Sequence, residues 1–266
     1  MKKLVLKKFV IPLLVITLVG LLAAVVVVSK EKEMTGNEIL KTVAFFNQAK
    51  DQTSKMTMIL IDKNGDEIRK EMDVWGKGDH MRLIKFTYPA DIKGTGFLVQ
   101  DADLDTEKMY IYLSAFKKTK RIAGSAKGES FMESDFSYDD MGSFRYDEHY
   151  DAKRLKDKEG IFVLELKKKE KSEKEFEQLV LWVSMESRVP LRVEFYDLKK
   201  IGKEEKLELK KILTTDNAKK ISGYWIPTVL VMEDVKKKHM SKLIFKDLKF
   251  DTGLSDSIFT ERYLER

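Results

Sequence analysis

The chain has 266 residues, 43% hydrophobic and 35% charged, with no cysteine and a formal net charge of +6. The missing cysteine excludes disulfides, thiolate metal sites and a lipid anchor on a cysteine of the chain's own. Lys2, Lys3, Lys7 and Lys8 supply four of the positive charges; from Ser29 onward 46 basic residues meet 44 acidic ones in mixed order. That surface forms no basic funnel for a phosphate backbone, so nucleic acid is not an expected partner.

Phe9 to Val28 is an uncharged run of twenty residues behind those lysines. Such a run spans a bilayer as a helix of about 30 Å, and the positive flank stays cytoplasmic, so the rest of the chain is expected outside the cytoplasm. A cleavable signal has a shorter apolar stretch and a small-x-small site; here the one plausible cut follows Ser29, with Val27 three residues before it. Residues 1–33 therefore read as a signal peptide or an N-terminal membrane anchor. Residues 34–266 read as one exported domain in the periplasm or extracytoplasmic envelope, tethered to the inner membrane by residues 9–28 in the anchor case.

Thr35 and Glu38 make a capping-box pattern, and Ile39, Leu40, Val43, Ala44 and Phe46 recur at helical spacing, which predicts a helix to about Lys50. From Lys55 the period changes to two. Met56, Met58 and Leu60 alternate, Asn64-Gly65 gives a hairpin turn, and Met72 and Val74 follow. Met81–Phe86, Phe97–Gln100 and Met109–Leu113 are further strands. A polar, partly helical segment is expected from about Ser114 to Lys158. Strands resume at Ile161–Leu166, Leu179–Met185, Leu191–Asp197, Leu207–Leu213, Tyr224–Met232 and Leu243–Phe250. About eleven strands joined by short turns imply an antiparallel meander. Met56–Ile61 and Met109–Leu113 carry apolar residues on both faces, so they are covered on both sides or line an internal apolar cavity.

No catalytic or metal constellation emerges. His80, His149 and His239 lack ligand spacing, and no nucleophile elbow, P-loop or dinucleotide fingerprint is present. Asp101, Asp103 and Asp105 match the first calcium-loop positions, but Thr106 and Tyr112 stand where glycine and glutamate are needed; Asp135, Ser137 and Asp139 fail likewise and read as capping around Ser137. The chain is therefore expected not to be an enzyme and to need no cofactor or metal. Lys167–Lys169 and Lys236–Lys238 are basic runs at strand ends, read as hairpin tips or as contacts to anionic headgroups.

Phe86-Thr87-Tyr88-Pro89-Ala90-Asp91-Ile92-Lys93-Gly94-Thr95-Gly96-Phe97-Leu98 and Tyr112-Leu113-Ser114-Ala115-Phe116-Lys117-Lys118-Thr119-Lys120-Arg121-Ile122 resemble signatures of the LolA-like outer-membrane lipoprotein-sorting proteins. So do Ser130–Asp140 (with Glu133 where a small residue is expected), Leu181-Trp182-Val183, Pro190–Asp197, Gly223-Tyr224-Trp225-Ile226-Pro227 and the closing Phe259–Arg266. The resemblance implies an α+β, mostly β fold: an open antiparallel half-barrel with helices covering the concave face, which holds acyl chains of lipoproteins or phospholipids. On that footing Met58, Leu60, Val74, Leu83, Phe97, Tyr110, Tyr112, Leu181, Val193 and Phe195 are the candidate cavity residues. Ile39, Val43 and Phe46 are the candidate lid. The same residues serve equally as plain core, because strand period does not say which face is concave. The implied function is a non-enzymatic envelope carrier or acceptor of lipid or lipoprotein. The alternatives are an anchored accessory protein of an envelope membrane transporter with no lipid of its own, and, with least support, an envelope hydrolase.

Overall fold

The computed structural model describes residues 33–45, 49–79, 81–100, 107–142, 145–202 and 204–266. The apolar run at residues 9–28, Phe46, His80 and the triad Asp101, Asp103 and Asp105 lie outside these. Among the described residues no helix is long and apolar enough to cross a membrane.

The chain is mostly β. The strands are β1 (Asp51–Ile61), β2 (Glu67–Lys77), β3 (Met81–Tyr88), β4 (Gly96–Gln100), β5 (Lys108–Leu113), β6 (Lys118–Ile122), β7 (Tyr150–Arg154), β8 (Ile161–Lys168), β9 (Gln178–Ser184), β10 (Pro190–Ile201), β11 (Glu204–Ile221), β12 (Tyr224–Asp234) and β13 (His239–Phe250). All thirteen form one antiparallel sheet in the order β6-β5-β4-β3-β2-β1-β13-β12-β11-β10-β9-β8-β7. Each expected strand is present; the two beyond eleven are β6 and β7, inside the stretch read as polar and partly helical. They are the two edges of the sheet. Their sequences, KTKRI and YDAKR, are short and basic, the composition that keeps an edge from pairing with another chain and that hides a strand from an apolar-alternation reading.

The first helix is shorter than its periodicity suggests. The capping box forms, with Thr35 and Glu38 bonded reciprocally, but α1 spans only Gly36–Leu40. The chain then turns: the Thr42 hydroxyl donates back to the Ile39 carbonyl, and the Ala44 amide donates to the Arg188 carbonyl in the β9–β10 turn. Tertiary pairing wins over the helical continuation that Val43 and Ala44 would otherwise support. α1 lies along β7, where Asn37 Oδ1 accepts from the Ala152 amide at 2.6 Å, so it covers part of that free edge.

Each face of the sheet carries its own apolar layer. On the inner face, residues as far apart as Phe97 of β4 and Leu181 of β9 share one buried cluster, which requires the sheet to curl around it. On the outer face Leu83 and Leu98 pack with Phe259 and Leu264 of the C-terminal segment, which ends in α3 (Glu261–Leu264, following α2, Tyr146–His149). This outer layer explains the two-sided pattern of β5: Met109 and Ile111 face inward, while Tyr110 and Tyr112 meet the C-terminal segment.

Candidate functional site: the covered inner face

The ladder register sorts the candidate cavity residues. Phe97 is paired with Ile84 and Ile111, and cross-strand partners share a face. Leu83 is paired with Trp75 and Leu98, and Leu98 with Tyr110. Met58, Leu60, Val74, Phe97, Leu181, Val193 and Phe195 thus come together on the inner face. Leu83, Tyr110 and Tyr112 do not; they belong to the outer layer beneath the C-terminal segment. Ile39 and Val43 join the inner cluster from α1 and the bend after it, at the β7 side rather than across the middle. Phe46 lies outside the described residues.

The middle of the inner face is covered by residues 123–142 and 145–149, a cover of turns and short helical pieces rather than long helices. Its apolar side chains Phe131, Phe136 and Met141 are buried against the sheet. The Phe131 ring lies 5.3 Å from Phe97 at 64°, and 5.5 Å from Tyr138 at 89°, edge-to-face contacts that favour aromatic pairs. A void of about 30 Å³ remains beneath the cover, beside Met56, Val74, Ile84 and Leu243. Ligand pockets of drug size occupy about 300–1,000 Å³, so the inner face as it stands is full.

Polar groups fasten the cover at both ends. Lys70 of β2 is 4% exposed; its Nζ donates to the Met132 carbonyl at 2.6 Å and to Glu133 Oε2 at 3.0 Å. Arg82 of β3 donates to the carbonyls of Met141 and Gly142, both at 2.7 Å. Burial lowers the Arg82 pKa to about 10, against the opposing pull of Glu107, and it stays charged at neutral pH. The buried carboxylate of Asp135 accepts from Ser241 Oγ and from His239 Nδ1, each at 2.7 Å, while the Asp135 amide donates to Ser241 Oγ at 2.9 Å. Ser137 and Asp140 cap one another's amides, the capping expected around Ser137.

This Asp135–His239–Ser241 group has the residue types of a hydrolase triad but different connections. The serine hydroxyl donates to the aspartate, not to the histidine, so no base is aimed at a nucleophile. It is a clasp between the cover and β13. Among the described residues no group of acidic and histidine side chains is placed to hold a metal ion.

Lys70 and Arg82 escaped the sequence reading, and Asp135 was read only as part of a failed calcium loop. The signal was present for both cations: Lys70 shares the parity of Met72 and Val74, and Arg82 that of Ile84 and Phe86. A cation on the apolar face of a strand needs a partner.

A second hollow, about 740 Å³, is lined by charged groups of both signs, among them Arg121, Lys127, Asp139 and Lys174. Its walls suit water and ions rather than an apolar ligand.

The family model that matches, described as an uncharacterized protein, spans residues 78–266. No curated protein matches the chain in sequence. Among solved structures, a DUF1329 family protein from Desulfovibrio piger is 27% identical, with 86% of this chain and 97% of that chain covered and a TM-score of 0.76. A protein domain assigned to outer-membrane lipoprotein sorting, from Vibrio parahaemolyticus, is 29% identical over 87% and 98%, with a TM-score of 0.74. A LolA superfamily protein from Nitrosomonas europaea shares the fold at 21% identity over 86% and 99%, with a TM-score of 0.68. The chain belongs to the LolA-like outer-membrane lipoprotein-sorting protein family.

Proposed function

We propose that the chain is a non-enzymatic carrier or acceptor of acyl chains, from lipoproteins or phospholipids, in the extracytoplasmic envelope. Its N-terminal run at residues 9–28 serves as an export signal or as a tether to the inner membrane. The observation that carries this reading is the inner face itself. A curved apolar sheet is closed by a segment fastened through side-chain hydrogen bonds and ion pairs, among them Lys70–Glu133, Lys174–Asp139 and Lys211–Asp140, rather than through the ladder. The Vibrio relative's assignment to lipoprotein sorting supports the same direction.

The energetics of exchange suit a carrier. Sixteen acyl carbons leaving water gain up to about 12 kcal/mol at about 0.8 kcal/mol per CH₂. Lifting Phe131, Phe136 and Met141 off the sheet costs roughly 2–3 kcal/mol each, or about 6–9 kcal/mol. Measured from water, the difference favours capture by a few kcal/mol. A cover welded into the sheet would be far costlier to move.

Uptake of a fluorescent fatty acid by the full chain tests the exchange. Phe131→Ala destabilises the closed form by about 3–5 kcal/mol and is expected to raise probe affinity, because less burial is surrendered on opening. Unchanged or lost uptake in a variant that remains folded contradicts the exchange.

The filled inner face also favours a second reading, an accessory protein of an envelope membrane transporter that holds no lipid. That reading predicts no uptake by either protein.

A further inference from the structure

The antiparallel order gives the sheet two rims. The turns β1–β2, β3–β4, β5–β6, β8–β9, β10–β11 and β12–β13 lie on one, here the upper rim. The turns β2–β3, β4–β5, β7–β8, β9–β10 and β11–β12 lie on the lower. Among the described residues, all eight large hydrophobic side chains that stand exposed are at the upper rim. Phe116, in the β5–β6 turn, is 76% exposed. Tyr88 ends β3, Ile68 opens β2, and Val235 and Met240 flank the β12–β13 turn. The other three are on an arm. β9 pairs with β10 only as far as Tyr196, and β12 pairs with β11 only from Lys211. The hairpin from Asp197 to Lys210 therefore projects roughly 15 Å beyond its neighbours, at about 3.3 Å per residue. It carries Leu198 directly opposite Leu207, with Ile201 at the tip.

Charge follows the same polarity. Among the described residues the six upper connections contain nine basic and seven acidic residues; the five lower ones contain three basic and five acidic. Lys236, Lys237 and Lys238 fill the β12–β13 turn beside Val235.

From this asymmetry we infer that the upper rim docks on a lipid bilayer surface rich in anionic headgroups. A protein partner would be matched by one contiguous apolar patch. Here the apolar side chains are spread over five connections around a curved rim, with charged residues between them; on the arm Lys199, Lys200 and Lys206 pair with Glu208, Glu205 and Glu204. That distribution fits a broad, laterally fluid, negatively charged surface with an apolar layer just below it. The arm reaches furthest. Lys70 and the Asp135–His239 clasp lie at this same end of the inner face, which sets the cover's fastening beside the headgroups. Docking stands independently of whether the inner face takes lipid.

Because the chain has no cysteine, single cysteines can be labelled cleanly. The full chain is placed in phosphatidylcholine vesicles with or without phosphatidylglycerol, all containing a brominated quencher lipid. An environment-sensitive fluorophore is attached after Phe116→Cys, Ile201→Cys or Val235→Cys at the upper rim, or Lys156→Cys or Glu159→Cys at the lower. The upper probes are expected to shift to the blue and be quenched when phosphatidylglycerol is present, with the lower probes unchanged. Each lysine near an anionic surface contributes about fivefold, so replacing Lys236, Lys237 and Lys238 together by glutamate should weaken upper-rim quenching by tenfold or more. Circular dichroism checks that this variant folds. Upper probes as polar as the lower ones would overturn the inference and leave the exposed apolar side chains to a protein partner. Equal quenching at both rims would overturn it too.

Discussion

Lys70 and Arg82 are buried cations on an apolar face; Lys70 divides its charge between the Met132 carbonyl and the Glu133 carboxylate, and Arg82 donates to the Met141 and Gly142 carbonyls. His149 shows a different economy of charge. It lines the polar hollow, with Nδ1 3.3 Å from Ser172 Oγ. Burial, reinforced by Lys174 and opposed by Asp139, lowers its pKa from 6.5 to about 4. The native imidazole stays neutral where the unfolded chain takes up a proton. Stability is therefore fully present above about pH 6.5 and is lost as pH falls toward about 4. His149→Gln should flatten urea-unfolding midpoints between about pH 6.5 and 5, while the wild type declines. An equal decline in both proteins would assign the effect elsewhere. The parity of Lys70 and Arg82 was readable in their strands; the burial of His149 was not, because it depends on the β8–β9 turn folding over it.

At the level of elements, α1 is held by a close approach. A Cβ on Gly36 would meet the Ala152 carbonyl oxygen at 2.3 Å and the Arg154 amide nitrogen at 2.7 Å, both backbone atoms of the β7 edge. Gly36→Ala should thus push α1 off that edge and lower stability by about 1–3 kcal/mol, seen as a lower denaturation midpoint; an unchanged midpoint would mean that α1 contributes little. The eleven strands with apolar alternation were legible, as were the Asn64-Gly65 turn and the capping box of Thr35 and Glu38. The edges β6 and β7 were not, since their basic side chains keep a free edge from pairing with another chain rather than filling a core. The cover was misjudged for a related reason. Phe131, Phe136 and Met141 recur every five residues, which matches neither the helical nor the strand period, so nothing in their spacing announces burial. Leu83, Tyr110 and Tyr112 went to the wrong face because strand period fixes which residues share a face but not which face is concave. The pairing of Leu83 with Leu98, and of Leu98 with Tyr110, settles that only once the register is known.

At the largest scale the described residues form a thirteen-stranded sheet with two apolar layers of different character. The outer layer is bound by the C-terminal segment, where Lys85 and Gln100 donate to the Leu264 and Phe259 carbonyls at 2.5 and 2.6 Å. The inner layer is closed by a segment whose contacts are side chains lying on a surface. In the carrier reading, a lipid replaces that segment's apolar side chains with little net change in buried area. Native mass spectrometry of the full chain, purified from a bacterial envelope and paired with lipid extraction, tests this most directly. A carrier should bring with it a phospholipid or acylated peptide at near one-to-one ratio. An apo mass, together with no uptake of a fluorescent fatty acid, would contradict the carrier reading and leave the inner face as ordinary core.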